Sequence, residues 1–329
     1  MSTPQESPLE LAERVRAGDR GAVARALNLV DDRRSERRAD ALILLDALEG
    51  HARGRRIGLT GAPGAGKSTL LDALATALRG RGRTISMLAV DPSSKKTGGA
   101  LLGDRFRMGT SARESGVFFR SLAARDQLGG LSEVTGPSLD VLVAAFDTVF
   151  IETVGVGQSE ASIADLVETL VFVAQPAAGD LVQFMKAGIL EWPDIFFVNK
   201  ADLSDLAART AAELRAGLDL GRNGAAEHRP PVLCGSARDG VGIDALVEAL
   251  ERHHDALTRS GEASRRDAAG RLARVRHALA NRYGSFGLAQ LAQALPIESF
   301  VASHPESSVE RLIESLGSRI EAGYGKTSP

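Results

Sequence analysis

Between Arg55 and Leu74 the chain reads RRIGLTGAPGAGKSTLLDAL. Gly61 to Ser68 match G-x-x-x-x-G-K-[ST] without a break, after a short apolar run of strand type and ahead of a helical one. The motif asks for a strand before it and a helix after it, and both runs are present. The residue types have chemical reasons. Glycines let the backbone wrap closely around an anion. The N–H groups from Gly64 to Ser68 then point inward, and the helix N-terminus adds positive dipole. Lys67 places a charge on the β- and γ-phosphates of a nucleotide, and the Ser68 hydroxyl is a ligand for Mg²⁺. The candidate phosphate cradle is Gly61, Ala62, Pro63, Gly64, Ala65, Gly66, Lys67, Ser68 and Thr69.

The surrounding pattern agrees with that demand. From Arg56 to about Leu250, short apolar runs (RIGLTG, TISMLAVD, TVFIET, TLVFVAQ, DIFFVNK, PPVLCGSA) alternate with helical stretches. This predicts an α/β fold of the P-loop NTPase type: a mostly parallel sheet with helices on both faces. Apolar residues recur at helical spacing before it, from Leu9 to Leu48, and helix returns after Glu251. The expected division is an N-terminal helical extension over 1–54, a nucleotide domain over 55–255 and a C-terminal helical region over 256–329.

Two further stretches say what the cradle holds. FFVNKADL puts Asn199, Lys200 and Asp202 directly after a strand-like run. An Asp there can accept from N1–H and the exocyclic amine of guanine, a donor pair that adenine lacks. Asn199 and Lys200 would brace the loop. LCGSARDG supplies Ser236 and Ala237, where a backbone N–H can meet guanine O6. The pattern therefore predicts a GTP/GDP site. Asp91 ends SMLAVD and Glu152 is the last residue but one of VFIET; ligands in such sheets sit outside the carboxyl ends of the strands. Both acids are candidate catalytic and metal-site groups, with helix capping as the alternative role. Asp104, after a glycine-rich stretch, is a third candidate. Cys234 is expected in the core.

TGAPGAGKST, LAVDPSSKKTGGALLGDRFRM, FFRSLAARDQLGGL, ETVGVGQSE, GDLVQFMKAGILE and VNKAD occur in one order. In that combination the chain resembles the MeaB/ArgK family of GTPases, relatives of the human methylmalonic aciduria type A protein. The resemblance covers roughly Leu9 to Leu250. It implies a GTPase that binds an adenosylcobalamin-dependent acyl-CoA mutase, chiefly methylmalonyl-CoA mutase, and that gates cofactor loading, protection and reactivation. It implies a homodimer, with the C-terminal helices as dimerisation arm. It implies that Lys67 and Ser68 hold phosphate and Mg²⁺, and that Asp91, Asp104 and Glu152 arrange the metal and its waters. PAAGDLVQFMK matches the family's extra switch, with Asp180 and Lys186 on its charged positions. The chain departs from commoner family forms in RSLAARDQLGG and AQPAAGDLVQFMKAG, where a partner is expected to dock.

Glu152-Thr-Val-Gly155 has the spacing of a D-x-x-G loop with Glu for Asp, and Gly155 could approach the γ-phosphate through its N–H. Gln158 is a candidate water-orienting glutamine. However, Val156 and Gly157 separate it from that glycine, so a switch or partner contact is the competing role. Two other functions would demand other features. A metallochaperone needs clustered Cys and His ligands. This chain has one cysteine and six scattered histidines, and His253 and His254 diverge on a helix. A GTP-dependent adaptor without hydrolysis would not need the metal-site acids.

The net charge of −2 argues against nucleic acid or an anionic membrane as a partner. The basic clusters around Arg33–Arg38 and Arg265–Arg276 alternate with acids or alanines and read as solvated helix faces. No apolar run approaches the roughly 18 residues that span a bilayer. The N-terminus lacks the basic and apolar regions of a signal peptide, and a lone cysteine suits a reducing compartment, so a cytoplasmic location is expected. Trp192 is expected in core or interface packing.

Overall fold

The computed structural model describes residues 6–91, 115–123, 133–153, 163–176, 189–203, 205–220 and 229–324. They form two compact units: one comprises 55–132 and 147–263, the other 1–54, 133–146 and 264–329.

The first unit is built on seven parallel strands: β1 (Arg55–Thr60), β2 (Ile85–Asp91), β3 (Val117–Ala123), β4 (Thr148–Thr153), β5 (Thr169–Ala174), β6 (Ile195–Val198) and β7 (Val232–Cys234). Their order is β3-β2-β4-β1-β5-β6-β7, and every pairing is parallel. β1 is central, between β4 and β5, because Ile57, Gly58 and Leu59 pair on both sides. All of β5 and β6 is buried, as expected of strands covered on both faces. Their alternate side chains feed two cores. Val171, Val173, Ile195 and Phe197 join Leu59, Phe150, Leu70, Leu74, Leu246 and Leu250. Phe172, Ala174, Phe196 and Val198 join Ala207, Ala211 and Leu214 on the opposite face. β7 is an edge strand and leaves Cys234 exposed, so the expectation of a core cysteine is not met. Burial in the strand wall still raises its thiol pKa. Trp192, ahead of β6, is 51% exposed.

The second unit is helical. It contains α1 (Pro8–Arg16), α2 (Arg20–Asp31), α3 (Ser35–Leu48), α5 (Thr135–Ala145) and three C-terminal helices, whereas α4 (Lys67–Gly80), α6 (Leu206–Leu220) and α7 (Ile243–Ser260) cover the sheet. The C-terminal three are α8 (Glu262–Ala294), kinked at Gly284, then α9 (Ile297–Ala302) and α10 (Val309–Tyr324). Local chemistry starts the first two. Pro8 opens α1 under a capping box in which Ser7 and Glu10 satisfy each other's backbone donors, and Asp19 caps α2. Val275, Leu279, Leu291, Ile297, Val309, Leu312 and Leu316 form the C-terminal core.

This unit also buries charge, which corrects the reading of a solvated face at Arg271 and Arg274, whereas Arg265 and Arg276 are exposed. Arg274 meets both oxygens of Asp140, at 2.9 and 2.6 Å. Arg271 pairs with Glu49 and donates to Ser307 O at 2.7 Å. The side chains of both arginines are 13% exposed. Asp46 gathers Ser308 and Arg311, and Arg38 reaches Glu310 at 3.2 Å. Burial pushes Glu310 upward, and it pushes Glu49 from 4.5 up to about 7 against the pull of Arg271.

A carboxyl raised in the fold favours its protonated form there. Its contribution is therefore largest at low pH and is lost as pH climbs from 4.5 to about 7. The expected loss for the helical unit across that window is about 1–2 kcal/mol, after discounting for screening. Chemical unfolding of the wild type and Glu49→Gln along a pH series checks this: the slope should flatten in the variant.

Candidate nucleotide site

The loop from Gly61 to Gly66 joins β1 to α4 at the carboxyl edge of the sheet. Two of its glycines are obligatory. Gly61 has φ +138°, and a Cβ on it would lie 2.1 Å from Val173 O. Gly66 has φ +89°, and its Cβ would lie 2.5 Å from Asn199 Nδ2. The loop is thus pressed against the ends of β5 and β6. Pro63, Gly64 and Thr69 are exposed, whereas Ala62, Ala65 and Lys67 are buried. Lys67 curls back into the loop: its Nζ donates to Gly61 O at 2.8 Å and to Ala62 O at 3.1 Å.

Ser68, on the first turn of α4, donates through Oγ to Glu152 Oε1 at 2.9 Å. The sheet register makes this possible, because Glu152 pairs with Leu59 of β1 on one side and Ala89 of β2 on the other. The two proposed metal-side groups therefore converge from residues 84 positions apart. Asp91 closes β2 in register with Ala123, two rungs beyond Ala89; its side chain lies outside the described residues. So do Asp104, Gly155, Gln158, Asp180 and Lys186.

The base side is assembled by Asn199, which is 2% exposed. Its Nδ2 donates to Ala65 O at 2.9 Å, and its Oδ1 accepts from Ala237 N at 2.9 Å. One carboxamide thus ties the phosphate loop to the loop after β7. Ala201 N adds a backbone link to Gly235 O at 2.9 Å. Lys200 adopts φ 60°, the left-handed region rarely used without glycine. Its Nζ donates to Gly64 O at 2.6 Å and Gln175 Oε1 at 3.0 Å. Ser236 N–H donates to Val241 O within its own loop, whereas Ala237 N–H is taken by Asn199 on the loop after β6.

Sequence reasoning passed over Gln175 and Arg238. Gln175 is the first polar residue after the β5 run, and Arg238 directly follows the Ser236-Ala237 pair. Those positions are the only signals in the sequence. His253 and His254, in contrast, part as anticipated: His253 faces Asp194 and Thr169, and His254 faces Glu168.

Fold and site together define the class: this is a P-loop GTPase, an enzyme that binds guanine nucleotide and hydrolyses GTP. Comparison with known proteins narrows it. The chain belongs to the family described as methylmalonyl-CoA mutase-associated GTPase MeaB, whose model matches residues 23–285. It is similar to a probable GTPase of Mycobacterium tuberculosis, 44% identical over 263 residues that cover 78% of each chain. GTPase ArgK of Escherichia coli is 37% identical over 256 residues, 77% of each chain. The mouse methylmalonic aciduria type A homolog, a mitochondrial protein by name, is 36% identical over 260 residues, 74% of this chain and 62% of that one. Among solved structures, an LAO/AO transport system kinase aligns with a TM-score of 0.68 at 27% identity, covering 97% of this chain and 100% of the other.

Asn199→Ala would leave the Ala237 N–H and Ala65 carbonyl of this buried joint without their partner. The expected loss is about 2–4 kcal/mol of stability, read by chemical unfolding. Asn199→Asp should fare no better, because it keeps the acceptor for Ala237 but sets a carboxylate against Ala65 O.

Proposed function

We propose that this GTPase is a chaperone for an adenosylcobalamin-dependent acyl-CoA mutase, methylmalonyl-CoA mutase first among them, and that it gates cofactor loading, protection and reactivation. The description of its family and the name of its mouse relative support that partner. Within the chain, the reading rests on one contact, Ser68 Oγ to Glu152 Oε1 at 2.9 Å. Glu152 begins the E-T-V-G-V-G-Q-S-E stretch. Whatever binds beside Ser68 therefore acts on the root of that stretch, the arrangement a nucleotide switch needs.

Ser68 and Glu152 present oxygen donors, the set a hard cation prefers, and so fit Mg²⁺. Asp91 and Asp104 belong to the same proposed site. When bound, the ion neutralises charge that develops on the phosphate oxygens. The protein supplies the rest. Lys67 exchanges the Gly61 and Ala62 carbonyls for β- and γ-phosphate oxygens. N–H groups from Gly64 to Ser68 cradle the phosphates, and Gly155 adds its own at the γ-phosphate. Asp202 accepts from the guanine N1–H and amine, while Asn199, Lys200, Ser236 and Ala237 hold the loops that frame the base. Gln158 acts in the switch or at the partner rather than directly on the attacking water. Asp180 and Lys186 signal between GTPase and mutase. Region 55–255 carries this chemistry, 1–54 precedes it, and 256–329 supplies the arm of a homodimer. The protein works in the cytoplasm. Among the described residues, no helix is long and apolar enough to cross a membrane.

Co-purification with methylmalonyl-CoA mutase should give a complex whose stability differs between GTP and GDP, and GTP turnover should rise when mutase is added. Equal or absent binding in both nucleotides, with unchanged turnover, would sink the chaperone reading. Independently, Ser68→Ala should lower the hydrolysis rate by about 10²–10³, the usual loss when one stabilising group is removed. GTP binding measured in excess chelator should change little.

A further inference from the structure

Arg238 lies on the loop after β7, and its guanidinium spans two carboxylates. Nη2 stands 3.0 Å from Asp202 Oδ2. Nε donates to Asp239 Oδ1 at 3.0 Å, and Nη2 also reaches Asp239 Oδ2 at 3.4 Å. Asp239 is itself held: its Oδ2 accepts from Ser236 Oγ, and its N–H donates to the same hydroxyl, both at 3.2 Å. A chain of contacts therefore runs from the base of the loop, through Ser236 and Asp239, to Arg238 and on to Asp202. The two loops are already joined by Ala201 N–H to Gly235 O and by Ala237 N–H to the Asn199 side chain. Arg238 adds the one link among these that acts on the Asp202 carboxylate.

That carboxylate has a demanding task. To accept two hydrogen bonds from a base edge, both oxygens must lie near the plane of the ring. The terminal torsion of an Asp is broad and two-fold, so an unrestrained carboxylate spends much of its time turned away. Two carboxylate oxygens offer about four lone-pair sites. The nearest approach of Arg238 is Nη2 to Oδ2, with its Nε turned to Asp239. Arg238 can therefore hold the group without occupying both oxygens. The Asp202 side chain is 12% exposed and that of Arg238 71%, so the arginine closes the solvent side of the acid.

We propose that Arg238 is a specificity-determining positioning residue, which fixes the Asp202 carboxylate for the two-donor edge of guanine and so sets the preference for guanine over hypoxanthine nucleotides. The inference rests on the reading of Asp202 as the base-recognising acid. It goes beyond that reading by assigning the discrimination to a residue on a different loop. Hypoxanthine keeps N1–H but lacks the exocyclic amine, so it gains less from a carboxylate held flat. Loss of positioning therefore weakens GTP more than ITP. Because the arginine side chain is 71% exposed, the effect is moderate and sensitive to salt.

The experiment is calorimetric titration of the full chain with GTP, ITP and XTP. For Arg238→Ala, the ratio of ITP to GTP dissociation constants should fall by about threefold or more, the scale of one exposed charge-assisted contact. In the wild type, rising salt should narrow the ratio; in the variant it should not. Arg238→Lys should recover part of the preference, because an ammonium can reach one carboxylate oxygen but cannot span the fork to Asp239. Asp239→Asn should shift the ratio in the same direction as Arg238→Ala by a smaller factor, and it serves as the test if the alanine variant folds poorly. Asp202→Asn is the control for the parent reading. A side-chain amide should turn preference toward xanthine, whose C2 carbonyl it can donate to. If Asp202→Asn leaves base preference unmoved, the assignment of Asp202 fails, and this inference with it. If Asp202→Asn switches preference while Arg238→Ala keeps the wild-type ratio, only the role of Arg238 is overturned. If Arg238→Ala tightens GTP and ITP equally, Arg238 obstructs the base instead of positioning its acid, and the proposal is also wrong.

Discussion

The carboxamide of Asn199 holds the site together. One buried side chain donates to Ala65 of the phosphate loop and accepts from Ala237 of the loop after β7. An amide is the group that can do both, since it carries a donor and an acceptor on one planar fork. Its position depends on β6 ending where the phosphate loop passes, and that loop is pressed so close that Gly66 can carry no Cβ. Phosphate-binding and base-binding elements are consequently not independent modules. A shift of one reaches the other through this buried pair of hydrogen bonds, with Lys200 to Gly64 and Ala201 to Gly235 beside it.

The sheet order explains why the chemistry gathers at one edge. β1 carries the phosphate loop in the middle of the sheet, with β4 and then β2 on one flank and β5, β6 and β7 on the other. Parallel strands present their carboxyl ends together, so the acid of β4 faces the hydroxyl of α4, and the loops of β6 and β7 meet beside the glycines. The aromatic packing beneath them, Phe150 and Phe197 on one face of the sheet and Phe172 and Phe196 on the other, is fully buried. It supplies the stiffness that a left-handed Lys200 and a tightly wrapped loop require.

The helical unit follows a different strategy. Its apolar core is supplemented by arginine–carboxylate pairs that are mostly removed from water: Arg274 with Asp140, and Arg271 with Glu49. Such pairs add little net stability over well-packed apolar residues, but they tolerate only one arrangement of partners, because a displaced partner leaves a buried charge uncompensated. Segments from three distant parts of the chain are thereby held in one register.

Much of this protein was legible in its sequence, because local rules dominate there. The phosphate loop, six of the seven strands and the N-K-x-D stretch depend on neighbouring residues and backbone geometry, and they occur where their patterns predict. The capping of α1 by Ser7 and Glu10 is of the same kind. β3, with Arg120 and Ser121 in its middle, is the strand that the apolar runs do not show. Family membership was also legible, because ordered motifs carry it. Tertiary structure decided what depends on distant partners. It placed Cys234 at an exposed sheet edge, although its strand reads as apolar, because β7 has a neighbour on one side only. It turned Arg271 and Arg274 from apparent surface charges into buried ones, since their acids lie 222 and 134 positions away. It set Arg238 against Asp202, a contact that exists only because two loops fold side by side. Charge pairing acts through space, and no spacing along the chain records which carboxylate an arginine will meet.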